Sequence, residues 1–158
     1  MGKKRTSRIV TIGGIATITA LVGLMIALQV GVAANNDYKR SFEQIVVDVN
    51  ALTQEYQAQE GKWVSKQYDN ATMIAIVDQY APRYQALIDR AQAMDVPERY
   101  KTAHGYLIDA IESEKQSNDH FRNYLATGDE SEYDKSSSML SKSLADSARA
   151  DAAIKEAG

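Results

Sequence analysis

Between Tyr38 and Ile154 the side chains suited to burial recur at alternating spacings of four and three residues, in four successive runs. The first run is Tyr38, Phe42, Ile45, Val49, Leu52 and Tyr56; the second is Met73, Val77, Tyr80, Tyr84, Leu87, Ala91 and Met94. The third is Tyr100, His104, Leu107, Ile111, Glu114, Asn118, Phe121 and Leu125, and the fourth is Tyr133, Ser137, Leu140, Leu144, Ser147, Asp151 and Ile154. Such spacing lays its members along one stripe of an α-helix, a coiled-coil-like seam that must be covered by other helices. No segment alternates with the period of two that a half-buried strand requires. The expected fold is therefore all-α, a four-helix bundle.

The punctuation between the runs fits this. Asn70 is placed to cap the second helix, because its side-chain oxygen can accept from a free N–H of the first turn. Pro97 suits a first helical position, where its missing N–H is no loss. Thr127-Gly128 closes the third helix, with Gly free to adopt the left-handed conformation. Asp129 followed by Glu132 has the spacing of a capping box. Helices are predicted near 36–59, 70–94, 97–127 and 130–156, with short links that favour antiparallel neighbours and an up-down-up-down topology. Pro82 lies inside the second run and predicts a kink there, since it removes a hydrogen bond to the Asp78 carbonyl.

Ahead of the bundle, residues 9–34 hold no charged residue in 26 positions. About 20 apolar residues at ~1.5 Å each cross a bilayer core, so this run is long enough to span one. Lys3, Lys4, Arg5 and Arg8 precede it, and the first acid is Asp37. The expected layout is a basic cytoplasmic tail (1–8), a transmembrane signal-anchor (9–34) and an extracytoplasmic bundle (35–158). The cell membrane, crossed once, is the expected location, and the span is expected to run directly into the first bundle helix. A rival is signal-peptidase cleavage after Val32-Ala33-Ala34, leaving Asn35 first; the run exceeds the ~7–15 apolar residues usual in a secretory signal. Thr19, Gly23, Ala27 and Gly31 form a small-residue stripe, of the kind that lets membrane helices approach closely.

Charge divides unevenly. The net −3 combines four basic residues before the span with 14 basic against 21 acidic residues after it, a net −7. An acidic bundle without a basic patch gives no support for nucleic-acid binding. With no Cys and only two His, disulfides and Cys-ligated metals are excluded. No acid has a His three residues on, so the Glu-x-x-His ligand set of di-metal bundles is missing. None of the common nucleotide-binding or hydrolase motifs occurs either. Neither an enzyme nor a cofactor is expected.

Some residues stand out as candidate sites. Lys62, Trp63 and Lys66 lie in the 60–69 connection and suit partner contact; alternatively Trp63 folds back to plug the end of the bundle. Tyr80, Pro82, Tyr84 and His104 are candidates for a small pocket beside the kink, or else for a bent helix over a packed core. Glu114 counts back from the 127–130 turn to the level of Lys142 and Ser143, and a buried Glu114–Lys142 polar pair is expected; the alternative is a slightly rotated helix with these groups in contact with water. Asn70-Ala71-Thr72 is an N-glycosylation sequon on the expected outer side.

The order of parts resembles the extracytoplasmic four-helix-bundle domain of chemoreceptor-type sensors. The basic cluster at 3–8, the 9–34 span and the seam from Tyr38 to Tyr56 carry this likeness. Such receptors add a second span and a cytoplasmic signalling region, patterns not found between residue 35 and Gly158. Pro97-Glu98-Arg99-Tyr100, His104, Gly128-Asp129 and Tyr133 also look like the later helices of small membrane-tethered helical proteins. The expected role is non-enzymatic protein–protein interaction, as an accessory subunit bound to another membrane protein or to a second copy. The alternative is a sensor-like bundle that binds a small molecule and signals through a partner.

Overall fold

A computed structural model describes residues 33–158. Its helices are α1 (Ala33–Val64), α2 (Asn70–Gln92), α3 (Lys101–Thr127) and α4 (Glu130–Glu156), with a 3-10 turn at Glu98–Tyr100 before α3. The described residues form no strand. Consecutive helices pack as neighbours, α3 most closely with α4. Tyr38 near the start of α1 stacks on Tyr100 near the start of α3, with ring centroids 4.9 Å apart. At the other end Trp63 of α1 meets Phe121 of α3 edge-on at 5.2 Å. α1 and α3 thus run parallel and α2 antiparallel to both.

The basic tail, the 9–32 part of the uncharged run and the Thr19, Gly23, Ala27, Gly31 stripe lie outside the described residues. Among the described residues no helix is long and apolar enough to cross a membrane.

The first three seams form the core. Phe42, Met73, Tyr84 and Tyr100 are fully buried, and every member of the third seam is buried, including His104, Glu114 and Asn118. Glu114 and Asn118 do not face water. α4 differs from the expected pattern. Its buried face is Ser136, Ser143, Asp146, Ala150 and Ile154, while Leu140 and Leu144 are only half-buried. Small residues on α3, including Ala103, Ala110, Ser113 and Ser117, are buried as well. Small side chains let two helix backbones approach closely, which explains the tight α3–α4 packing. Ser117 Oγ donates to the Ser136 carbonyl at 2.8 Å across that seam.

Several boundaries moved for identifiable reasons. α1 runs on to Val64, because its last turn is held through Trp63 rather than ending before Gly61. It closes with Lys66 in the left-handed region at φ 61. Gln67 N–H reaches the Lys62 carbonyl at 2.9 Å and Lys66 N–H the Trp63 carbonyl at 2.9 Å, a Schellman-type end built without Gly. The cap of α2 is Asp69, whose carboxylate accepts from Thr72 N–H at 2.8 Å, and not Asn70. Pro97 precedes the 3-10 turn and accepts from Tyr100 N–H at 2.8 Å, so α3 itself starts at Lys101. Gly128 ends α3 at φ 72, as its position predicts. Asp129 caps α4 through Ser131 N–H at 2.9 Å, but Glu132 turns to α3 instead of completing the box.

α2 continues through Pro82. Pro82 lies on the exposed face, where water can satisfy the carbonyl that its ring leaves without a donor.

Candidate functional site

The main polar feature of the core is built around Glu114, which is 5% exposed. Its Oε1 accepts from Thr53 Oγ1 of α1 at 2.6 Å and from the Tyr84 hydroxyl of α2 at 2.9 Å. Among the described residues Oε2 has no hydrogen-bond partner and the carboxylate has no ion pair. Burial of a carboxylate without a counter-charge favours its protonated form. Glu114 is accordingly pushed above the usual carboxylate range by desolvation, against the pull of its two hydrogen bonds.

Glu60 on α1 deepens this anionic region. It is half-buried by surface area, yet desolvation and then repulsion from Glu114 push it up to about 7. Two buried groups beside them, the Tyr56 hydroxyl and Asn118 Nδ2, have no partner among the described residues. Burial first, then the nearby carboxylates, also raise Tyr56 well above its ordinary value.

The expected Glu114–Lys142 pair does not form. Lys142 Nζ donates to Ser113 Oγ at 3.0 Å and to Asp146 Oδ2 at 2.7 Å. Lys142 therefore reaches the residue next to Glu114, so the level along the bundle agrees. The rotation differs, since Glu114 turns toward α1 and α2. Asp146 is 2% exposed and also accepts from Arg149 at 2.8 Å. The Lys142 hydrogen bond, ahead of Arg149, holds its carboxyl below the usual range.

A cleft lies between α1 and α4, floored by α3. Phe42, Val46, Val49 and Asn50 line it from α1; Leu107, Ala110, Ile111 and Glu114 from α3; Ser143, Ser147 and Ala150 from α4. Its water-accessible volume of about 30 Å³ holds about two waters, and it is partly open to solvent. Counting from the 127–130 turn placed Ser143 level with Glu114, but spacing alone did not bring Asn50 and Ser147 to them. The small residues of α4 were the only available signal.

The Tyr80–Pro82–Tyr84–His104 pocket is not assembled. Tyr84 is fully buried on Glu114 and Tyr80 packs edge-on against Tyr56 at 5.3 Å. His104 sits at the other end of the bundle, with its Nδ1 3.1 Å from the Tyr38 hydroxyl. Desolvation lowers the His104 pKa, and the ring favours its neutral form.

Trp63 folds back over the bundle end. Its Nε1–H donates to Asn70 Oδ1 at 2.9 Å, and Asn70 Nδ2 donates to the Leu125 carbonyl at 3.1 Å. The sequon amide therefore clasps the ends of three helices. Lys62 donates to the Tyr68 hydroxyl at 3.2 Å, while Lys66 is exposed. Nearby, His120 Nδ1–H donates to Glu132 at 2.8 Å. That bond, helped by Lys135 and Asn123, pulls Glu132 down to about 2.

Among the described residues no group of three or more His, Cys, Asp or Glu is placed to hold a metal. No family model, curated protein or solved structure matches the chain.

Proposed function

We propose that this chain is a single-pass, membrane-anchored protein whose helical bundle stands outside the membrane and works by non-enzymatic contact with a partner protein. The observation that carries this reading is the uncharged run at 9–34, led by four basic residues and followed directly by α1 from Ala33. A helix continuing out of a span gives the bundle a fixed orientation relative to the bilayer. The Thr19, Gly23, Ala27, Gly31 stripe is the proposed grip on another membrane helix, in a partner subunit or a second copy. Lys66, exposed beside the Trp63 plug, offers a contact at the distal end. Val47 and Val64 are the large hydrophobics exposed among the described residues, so the bundle wall itself lacks a broad apolar patch.

The test combines three measurements on the full chain in its native membrane. Alkaline extraction should leave it in the membrane, and protease added outside should remove a C-terminal tag. Crosslinking should capture a partner that is lost when Gly23 and Gly31 are changed to Leu. A mature N-terminus at Asn35 would sink the anchor. Migration as a lone species, unchanged by the stripe variant, would remove the subunit role.

A second reading, a small-molecule-binding bundle that signals through a partner, is favoured by one observation. The α1–α4 cleft brings a buried carboxylate to a water-sized space.

A further inference from the structure

We propose that the cleft between α1 and α4 binds a primary ammonium group carried on a slim aliphatic stem, with Glu114 as its counter-ion. This goes beyond the anchor and partner-contact reading and stands or falls separately from it.

The cleft gathers polar groups from three helices around an apolar wall. Asn50, Ser143 and Ser147 have no side-chain hydrogen-bond partner among the described residues, and all three line the cleft with Glu114. Ser143 is 3% exposed and Glu114 is 5% exposed. Neither the free Glu114 oxygen nor the Ser143 hydroxyl is sealed off, so both can be reached by a group that enters the cleft. The carboxylate accepts only, and its Oε1 is already engaged by Thr53 and Tyr84. What it lacks is a donor and a positive charge, and an ammonium supplies both.

Among the described residues no cation pairs with Glu114. Lys142, which reaches the neighbouring Ser113, is held there and by Asp146. The other groups around Glu114 are Glu60, Tyr56 and Thr53 from α1, Tyr84 from α2 and Asn118 from α3. None of them is cationic, and Glu60 adds negative charge. The net −7 of residues 35–158 favours approach of a cation over an anion.

Size narrows the ligand. Space for about two waters admits an ammonium and one or two carbons, not an aromatic ring. The partly open mouth lets a longer, unbranched stem pass outward along Phe42 and Val46. Where Glu114 is protonated beforehand, binding follows a balanced exchange. The ammonium enters with its charge, Glu114 becomes a carboxylate, and its proton leaves to solvent.

The experiment uses the full chain in detergent, titrated with n-butylammonium chloride, n-butanol and sodium butyrate in a calorimeter. Butylammonium should bind saturably and at least about tenfold more tightly than butanol or butyrate. Its affinity should rise as pH rises above the ordinary carboxylate range, with proton release seen as a buffer-dependent heat. Glu114→Gln should abolish both the binding and its pH dependence. Ser147→Val, at a half-buried position on the α4 wall of the cleft, should weaken binding about tenfold and keep the proposal testable if Glu114→Gln does not fold. Equal binding of butanol, absence of saturable amine binding, or amine binding indifferent to Ser147→Val would overturn it.

Discussion

The Tyr84 hydroxyl of α2 donates across the core to Oε1 of Glu114 on α3 at 2.9 Å, and Thr53 of α1 donates to the same oxygen at 2.6 Å. One carboxylate oxygen thereby ties three helices together. Tyr84→Phe and Thr53→Val should each destabilise the bundle by about 1–3 kcal/mol, the range for removing one partner of a buried polar group. Because both act on one oxygen, the double variant should cost less or more than the sum by at least about 0.5 kcal/mol. Urea unfolding of the four proteins in a double-mutant cycle checks this. Strict additivity would mean that the two bonds are independent.

Glu60 and Glu114 predict the direction of pH dependence. Both are raised in the folded state by burial, Glu60 from 4.5 to about 7. Between those values the folded chain holds protons that the unfolded chain has lost. The stabilising effect of Glu60 is therefore complete below about pH 4.5 and is lost as pH rises through about 7, and Glu114 acts in the same direction. Glu132, lowered to about 2, and Asp146 act in the opposite sense, and their contribution is lost on acidification below the usual carboxylate range. The urea midpoint should fall between about pH 5 and pH 7, and Glu60→Gln should flatten that slope. A midpoint that rises over this interval contradicts the assignment.

Asp69 and Asn70 have separable roles at the start of α2. Asp69→Ser keeps a side-chain acceptor for Thr72 N–H and should change stability by less than about 0.5 kcal/mol, whereas Asp69→Ala should cost about 1 kcal/mol. Asn70→Asp removes the donor to the Leu125 carbonyl and sets a carboxylate against it, and should cost about 1–3 kcal/mol. Thermal unfolding of the three variants distinguishes the cap from the clasp. If Asn70→Asp were neutral and Asp69→Ser costly, the roles would be reversed.

Lys66 holds the left-handed position at the end of α1 with φ 61. A side chain there is strained by contact of Cβ with the following carbonyl, and glycine is not. Lys66→Gly should stabilise the bundle by about 0.5–1 kcal/mol, read as a rise of a few degrees in Tm. The same substitution tests whether Lys66 also meets a partner, since captured partner would fall while stability rises.

Two regions show where the pattern of residues misleads. In α4, Leu140 and Leu144 are the strongest apolar signals, and a seam drawn through them is right at Ile154 but rotated from the buried face over most of its length. Ser143, Asp146 and Ala150 are buried instead, because α3 offers them Ala110, Ser113 and Ser117 at close range. Around Pro82, the neighbouring Tyr80 and Tyr84 suggested a pocket. Pro82 lies on the opposite, exposed face, and the two tyrosines are occupied by Tyr56 and Glu114.

Helix number, the three apolar seams of α1 to α3 and the Gly128 stop were legible from spacing and backbone chemistry, since both act within a single helix or turn. The rotation of α4, the cleft beside it and the partners of Glu114 were not. They depend on which side-chain volumes and polar groups meet across helices, between residues as far apart as Thr53 and Glu114. A 4–3 repeat says that a stripe must be buried. The fit of facing side chains decides against what it is buried, and which carboxylate is left without a counter-charge.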